Sequence, residues 1–270
     1  MAQKGASAHT DWAGEEARQR FVAFYREQLR ELMTGYGPID ILWYDGCIPA
    51  PFDGEETNAM VRALQPEILI NERNGEPFDF RNCEQTVNPK PGPWEACMTL
   101  NSNWGWHAGD THWKTPGDVI ELLINCASKG GNLLLNVGPM ADGTLPPEST
   151  AILGEVGSWL TRNREFLPDS ERHGFAWNNS CQVTVRGKRI YLHFHNQPGP
   201  EFCWAETNTT VLAARFLATG NPIAFAQDGT RLTLKNLPVP LPDSPVTTIV
   251  LDTDDPPVPA TEQTTFWIPD

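Results

Sequence analysis

The chain has 270 residues, a hydrophobic fraction of 40% and a formal net charge of −14 at pH 7, which is enough for one large or two small core-forming domains. This acidity argues against a nucleic-acid partner, because nucleic-acid binding needs clustered Lys and Arg, and the most basic run is only RGKR at 186–189. No stretch of eighteen apolar residues occurs, so no membrane span is expected.

The first predicted element is an amphipathic helix over 12–34, with Asp11 as N-cap and Gly35 as stop. Residues 39–46, IDILWYDG, predict a strand buried on both faces that ends at a carboxylate. A helix over 54–65 and a strand over 67–71 follow, the alternation typical of α/β folds. The proline-rich stretch 74–93 is predicted to be a loop.

Residues 115–164 predict two more helices and a strand between them. Thr115 as N-cap and Pro116 at the first helical position start a helix that runs to about residue 128. A buried strand over 132–138 follows, and Pro146 and Pro147 open a last helix to about Arg164.

From residue 172 the pattern changes to short strands. A hairpin over 182–196 is followed by strands at 210–217, 223–237 and 247–252, with Asp228-Gly229 as a hairpin turn. These strands predict a small antiparallel β-sandwich.

Three carboxylates lie near the predicted strand ends: Asp45, Glu84 and Glu95. The ends of parallel strands are where α/β folds place their chemistry. Paired carboxylates beside aromatic side chains are the equipment of glycoside hydrolysis, and aromatic faces pack on the apolar faces of sugar rings. The ten tryptophans of the chain include Trp43, Trp94, Trp104 and Trp106 in these segments. The alternative for Asp45 is a strand cap without chemistry.

At this point a family resemblance becomes specific. The motifs occur in order: YGPIDILWYDG, NERNG, FRNCEQ, WEACMTLNSNWGW and NLLLNVGPMADGTLP. Over roughly residues 15–165 the chain resembles the α-L-fucosidases of glycoside hydrolase family 29. The resemblance implies a retaining exo-glycosidase that removes terminal α-L-fucose on a barrel related to (β/α)₈. It assigns the nucleophile to Asp45 and the acid/base to Glu84, with Glu95 as second candidate because that position varies between subgroups.

The same motif segments contain the residues that we expect to contact the sugar. We expect Trp43, Tyr44, Arg73, Glu95, Trp104 and Trp106 to line the site. The alternative for Arg73 is a surface ion pair, and Trp104 and Trp106 are equally compatible with a core role. The chemistry implied needs no metal and no organic cofactor.

The chain departs from the family pattern at its start. Family members carry a long N-terminal half before the nucleophile strand, whereas about 38 residues precede Ile39 here. The predicted fold class is therefore α/β: a partial (β/α)₈-like barrel over 1–168, a C-terminal β-sandwich over 172–256 and an extended tail over 257–270. Whether the chain is a natural short form or a fragment stays open.

An open barrel has consequences for partners and function. It would leave strand edges unpaired, and exposed edges pair with other chains, so we expect a homo-oligomer. The expected ligand is a fucosylated glycan or oligosaccharide. The alternative function is a non-catalytic, sugar-binding or subunit-like protein derived from a truncated fucosidase.

Localisation stays open. The start of the chain lacks a signal peptide, which indicates the cytoplasm as the chain stands, but an export signal would be lost with a missing N-terminal part. The six cysteines show no metal-ligand spacing, so buried thiols are expected, with a Cys47–Cys83 disulfide as the alternative.

Overall fold

The computed structural model describes residues 12–46, 52–175 and 180–260. The chain divides into two compact units, one of residues 1–82 and 90–93 and one of residues 83–89 and 94–270. None of the described helices is both long and apolar enough to span a bilayer.

The first unit contains two helices and two short strands. They are α1 (Glu15–Gly35), β1 (Ile41–Leu42), α2 (Gly54–Leu64) and β2 (Leu69–Ile70), followed by a 3₁₀ turn at Glu72–Asn74. Gly14 occupies the N-cap position of α1, so the predicted start at residue 12 is wrong, and Asp11 lies outside the described residues. The helices pack on a core of Leu29, Met33, Tyr44, Val61, Ile68 and Ile70.

Strands β1 and β2 are parallel, with Ile41 opposite Leu69 and Leu42 opposite Ile70. Side chains alternate between the two faces of a strand. Ile70 is fully buried, but Ile41 is 51% and Leu69 46% exposed. The prediction that the Asp45 strand is buried on both faces is therefore wrong, because only one face packs on the helices of this unit.

Strand β3 (Arg81–Glu84) begins at the end of the first unit and continues into the second, where β4 (Trp94–Thr99) and β5 (Asn132–Asn136) complete a three-stranded sheet. The prediction of a continuous loop over 74–93 is wrong at β3. Strands β4 and β5 are parallel, with Glu95 opposite Asn132. Parallel pairing is the arrangement used in (β/α) barrels, but a partial barrel over 1–168 stays a prediction.

Two helices of the second unit follow their predicted ends closely. Helix α3 (Pro116–Ser128) begins with a capping box, in which Thr115 Oγ1 accepts from Asp118 N (3.1 Å) and the Asp118 carboxylate accepts from Thr115 N (2.7 Å). Helix α4 (Pro147–Asn163) begins after Pro146. Because the capping signals are local in sequence, both starts are readable without the tertiary structure.

The C-terminal part forms two antiparallel sheets around one core. The strands are β6 (Gln182–Arg186), β7 (Arg189–Phe194), β8 (Phe202–Trp204), β9 (Val211–Phe216), β10 (Ala224–Asp228), β11 (Arg231–Lys235) and β12 (Thr247–Thr253). One sheet has the order β6-β7-β12-β9 and the other β10-β11-β8. The predicted hairpins are confirmed, whereas β8 was not predicted.

The four-stranded sheet is covered on both faces. Its inner face contributes Leu192 and Ile249 to the sandwich core, and its outer face contributes Tyr191 and Val250 to a second core with α3 and α4. Helices α3 and α4, which precede residues 168–172, therefore pack on strands that follow these residues. The sequence predicts a domain boundary at residues 168–172. That boundary stays a prediction. In the predicted tail, the carbonyl oxygen of Val258 accepts a hydrogen bond from Asn208 N (2.9 Å). Residues 261–270 of the tail lie outside the described residues.

Candidate active site

Asp45 follows β1 and is held by Arg73. The Asp45 carboxylate accepts a hydrogen bond from Arg73 Nη1, and the Arg73 guanidinium carbon lies 4.6 Å from the centre of the Trp43 ring. The side chain of Asp45 is 76% exposed, whereas that of Arg73 is 23% exposed. A planar guanidinium can stack on a ring and bind a carboxylate at the same time, so Arg73 fixes one side of Asp45 and leaves the other accessible.

The backbone before Asp45 is clamped by a buried amide. Asn71 Oδ1 accepts from Tyr44 N (2.8 Å), and Asn71 Nδ2 donates to Tyr44 O (2.9 Å) and to Asn82 Oδ1 (2.9 Å). The ring of Tyr44 is only 4% exposed and belongs to the core of the first unit. Tyr44 thus positions Asp45 through its backbone. Sequence reasoning missed Asn71, although it opens the NERNG motif.

Glu72 is a second titratable group in this unit that the sequence did not single out. The two oxygens of its half-buried carboxylate share the single N–H of Asn82 in a bifurcated hydrogen bond (2.8 and 2.7 Å). Burial raises its pKa above the ordinary value, although the Asn82 hydrogen bond and the charges of Arg81 and Arg73 act in the opposite direction. Glu72 therefore ties the 3₁₀ turn that carries Arg73 to the start of β3.

In the second unit, Glu84 and Glu95 lie on the same face of the sheet. Cys83, Trp94, Ala96 and Met98 form one buried cluster, so alternation puts both glutamates on the opposite face. The hydrogen bond from Gln85 N to Cys97 O (2.9 Å) sets Glu84 beside Cys97 in a parallel pair, two residues beyond Glu95.

This position separates the two acid/base candidates. Glu84 is the exposed last residue of β3, whereas Glu95 is half-buried and is the second residue of β4. Because chemistry in parallel α/β folds collects at the carboxyl ends of strands, the geometry favours Glu84. Glu95 lies inside β4, near its start.

Trp104 and Trp106 lie in the segment that follows β4 and are 39% and 44% exposed. Asn136 Nδ2, at the end of β5, donates to Trp104 O (2.6 Å). A Cβ atom on Gly138 would lie 2.5 Å from Trp106 N, so only glycine allows this close approach. The two exposed rings are thereby held at the carboxyl end of β5, which is the position expected for a sugar-contacting wall.

Asp110 organises the same segment from within. Its side chain, 2% exposed, accepts from Ser102 N (3.0 Å), Asn103 Nδ2 (2.7 Å) and His112 N (3.0 Å). These hydrogen bonds lower the pKa of the Asp110 carboxyl. The Asp110 carboxylate therefore holds Ser102, Asn103 and His112 together. Sequence reasoning missed this role of Asp110.

Trp94 has a different role from the other tryptophans. It is 3% exposed, and a Cβ atom on Gly131 would lie 2.2 Å from its ring. The inclusion of Trp94 among the aromatic residues of the site is wrong, because the ring packs in the core. Among residues 12–46, 52–175 and 180–260, no group of three His, Cys, Asp or Glu side chains is placed to hold a metal ion.

Comparison with known proteins places this geometry in a family. The alpha-L-fucosidase family model matches residues 3–165. The chain belongs to the alpha-L-fucosidase family. Human plasma alpha-L-fucosidase is 33% identical in an alignment of 244 residues that covers 78% of this chain and 51% of the relative. Human tissue alpha-L-fucosidase is 28% identical in an alignment of 191 residues that covers 63% of this chain and 41% of the relative.

Solved structures of the family share the fold. Alpha-L-fucosidase isoenzyme 1 from Paenibacillus thiaminolyticus superposes with a TM-score of 0.82 at 33% identity, covering 88% of this chain and 63% of that one. The family resemblance stated from the motifs is confirmed. This family member spans about half the length of the curated relatives it matches.

Proposed function

We propose that the chain acts as an α-L-fucosidase, an exo-glycosidase that hydrolyses terminal α-L-fucose from oligosaccharides or glycoconjugates. The observation that carries the proposal is the Asp45 carboxylate at the end of β1, held by an arginine that stacks on Trp43. Family membership supplies the substrate class, since the relatives named above are alpha-L-fucosidases.

In the first step, a carboxylate oxygen of Asp45 attacks the anomeric carbon of fucose. Glu84, protonated at the start, gives its proton to the departing glycosidic oxygen, and a covalent fucosyl ester on Asp45 results. Arg73 orients the Asp45 carboxylate for this attack through its hydrogen bond. A solved alpha-L-fucosidase from Bacteroides thetaiotaomicron was trapped as a covalent intermediate with 2-fluoro-fucosyl fluoride, which supports an ester of this kind.

In the second step, the Glu84 carboxylate takes a proton from a water molecule that attacks the same carbon. The ester bond to Asp45 breaks and fucose leaves with its original configuration. The mechanism requires two carboxyl groups about 5–5.5 Å apart. Trp43, Trp104, Trp106, Arg73 and Glu95 are the proposed sugar contacts, while Tyr44 contributes through its backbone.

A second candidate function is a sugar-binding or subunit-like protein without turnover. The observation in its favour is the 76% exposure of the Asp45 side chain. Active sites gain much of their electrostatic power by excluding water, and an open carboxylate does not have that advantage. The chain also covers only about half of its relatives.

Turnover of 4-nitrophenyl α-L-fucoside separates the two candidates. The first predicts hydrolysis that Asp45→Ala lowers by on the order of 10⁴, with partial rescue by azide because a small anion fills the vacated position. Asp40→Ala, which alters a carboxylate before β1, is the control. Binding of L-fucose without turnover supports the second candidate, and full activity of Asp45→Ala excludes Asp45 from the mechanism.

A further inference from the structure

A pocket in the second unit is lined by none of the proposed catalytic or sugar-contacting residues. It is formed where the end of α3 meets β6 and has about 560 Å³ of open space, its mouth included. The residues that matter for its chemistry are Lys129, Arg172, Phe175, Cys181 and Val183.

One wall of the pocket is apolar and fixed. Phe175, Cys181 and Val183 are 2%, 4% and 5% exposed. His173 Nε2 donates to Val183 O (2.7 Å), and His173 Nδ1 accepts from Phe175 N (3.2 Å). Burial lowers the pKa of His173, so the ring stays neutral and both of its nitrogens are used in bracing this wall.

The lining of the pocket also includes Lys129, which is half-buried. Burial lowers the pKa of Lys129, and among the described residues no carboxylate forms an ion pair with it. Cys126, one turn earlier, supplies no negative charge, because burial and the neighbouring Cys83 raise its pKa to about 12. The nearby carboxylate of Glu171 accepts from Gly187 N (3.1 Å).

A half-buried cation without a counter-ion is costly, and a bound anion removes that cost. A neutral sugar would leave the ammonium group unpaired, whereas an inorganic anion would leave the apolar wall unused. An anion with an apolar body can pair with the ammonium group and can also pack on the apolar wall. Arg172, which is exposed at the pocket, adds a second cation for a carboxylate.

We propose that this pocket binds a small carboxylate with an apolar body, its carboxylate at Lys129 and Arg172 and its body on Phe175 and Val183. The inference does not depend on fucose hydrolysis.

Titration calorimetry of the full chain with phenylacetate tests the proposal. Phenylacetamide, which has the same body without the charge, and inorganic phosphate, which has charge without the body, are the matched probes. We expect each to bind about tenfold more weakly or worse, the scale of one charge-assisted hydrogen bond or of one lost apolar contact surface.

Variants locate the binding. Lys129→Met should weaken phenylacetate binding about tenfold, Lys129→Arg should retain most of it, and Lys235→Met, on β11, should leave it unchanged. Thermal unfolding checks that each variant is folded. If Lys129→Met does not fold, Arg172→Gln replaces it, since that side chain is exposed.

Three results would overturn the proposal. They are no binding of phenylacetate at millimolar concentration, equal affinity for phenylacetamide or phosphate, and unchanged affinity in both the Lys129 and the Arg172 variant.

Discussion

At the residue scale, two arginines of the first unit provide a matched pair. Arg73 lies 4.6 Å from the Trp43 ring and donates to Asp45, and Arg81 lies 4.6 Å from the Phe78 ring and donates to Pro91 O (2.8 Å). Both guanidinium carbons therefore lie at the same distance from the centre of an aromatic ring. Only the first arginine reaches a proposed catalytic carboxylate, so comparing them isolates the ion pair from the stacking.

Arg73→Lys should lower fucoside turnover about tenfold, because lysine keeps the charge but loses the planar fork that both stacks and orients the carboxylate. Arg81→Lys should leave turnover unchanged. Steady-state kinetics of the two variants, with unfolding midpoints as a check on folding, provide the comparison. Equal losses in both variants would mean that Arg73 serves only the packing of this unit. The prediction depends on the proposed activity.

The two glutamates are distinguished by leaving-group dependence. A good leaving group needs little protonation, so loss of the acid/base should spare activated aryl fucosides more than natural linkages. We expect this pattern for Glu84→Ala, because Glu84 ends β3 beyond the position of Glu95. Glu95→Ala should raise KM for both substrate types to a similar extent. Steady-state kinetics of both variants with 2,4-dinitrophenyl and methyl α-L-fucosides test this prediction. If the Glu95 variant, and not the Glu84 variant, loses activity mainly on the methyl fucoside, Glu95 is the acid/base.

At the element scale, the sequence predicted those features that are local. The start of α3 is set by Thr115, Pro116 and Asp118, and the β10–β11 turn by Asp228-Gly229; both are found as expected. Strand β3 was not predicted, because prolines flank it in the sequence. Its pairing with β4 depends on residues about twelve positions apart, and such partners leave no periodic signal in a four-residue strand.

The candidate site shows the same limit. Asp45, Glu84 and the exposed tryptophans could be named as candidates from the sequence, because strand ends and residue types mark them. Asn71 and Asp110 were missed because their roles consist of contacts with backbone groups across loops. The exposure of Ile41 was also missed, since an apolar run indicates a strand but not which face has a neighbour.

Gly131 is a position where the packing leaves no room for a Cβ atom. The missing Cβ would lie 2.2 Å from the ring of buried Trp94, whereas at Gly157, inside α4, no atom lies within 4 Å. Gly131→Ala should lower the free energy of unfolding by about 1–3 kcal/mol through overpacking. Gly157→Ala should raise it by about 0.5–1 kcal/mol through helix propensity.

Urea unfolding of both variants measures the difference. A Gly131→Ala variant as stable as the wild type would show that Trp94 moves without cost and is not fixed against the α3–β5 connection.

At the scale of the whole molecule, the first unit exposes several large apolar side chains. Phe24, Leu32 and Tyr36 are 61%, 42% and 69% exposed, and Ile41 and Leu69 of the paired strands are 51% and 46% exposed. The three residues of the α1 region recur at multiples of four positions, which places them on one side of the helix. Monomeric proteins seldom expose large contiguous apolar patches, and a net charge of −14 does not remove the need to cover one.

We therefore predict that the chain self-associates through the first unit, with an interface of the apolar, obligate type. Phe24→Glu should shift the assembly toward monomer, because it places a charge in the interface without touching the core. Leu212→Glu is the matched control, since Leu212 is 63% exposed but lies on β9 in the second unit. Light scattering at micromolar concentration gives the mass of each. A wild-type monomer that unfolds cooperatively, or equal effects of both substitutions, would contradict the prediction, and the apolar surface of α1 would then be stable in contact with water.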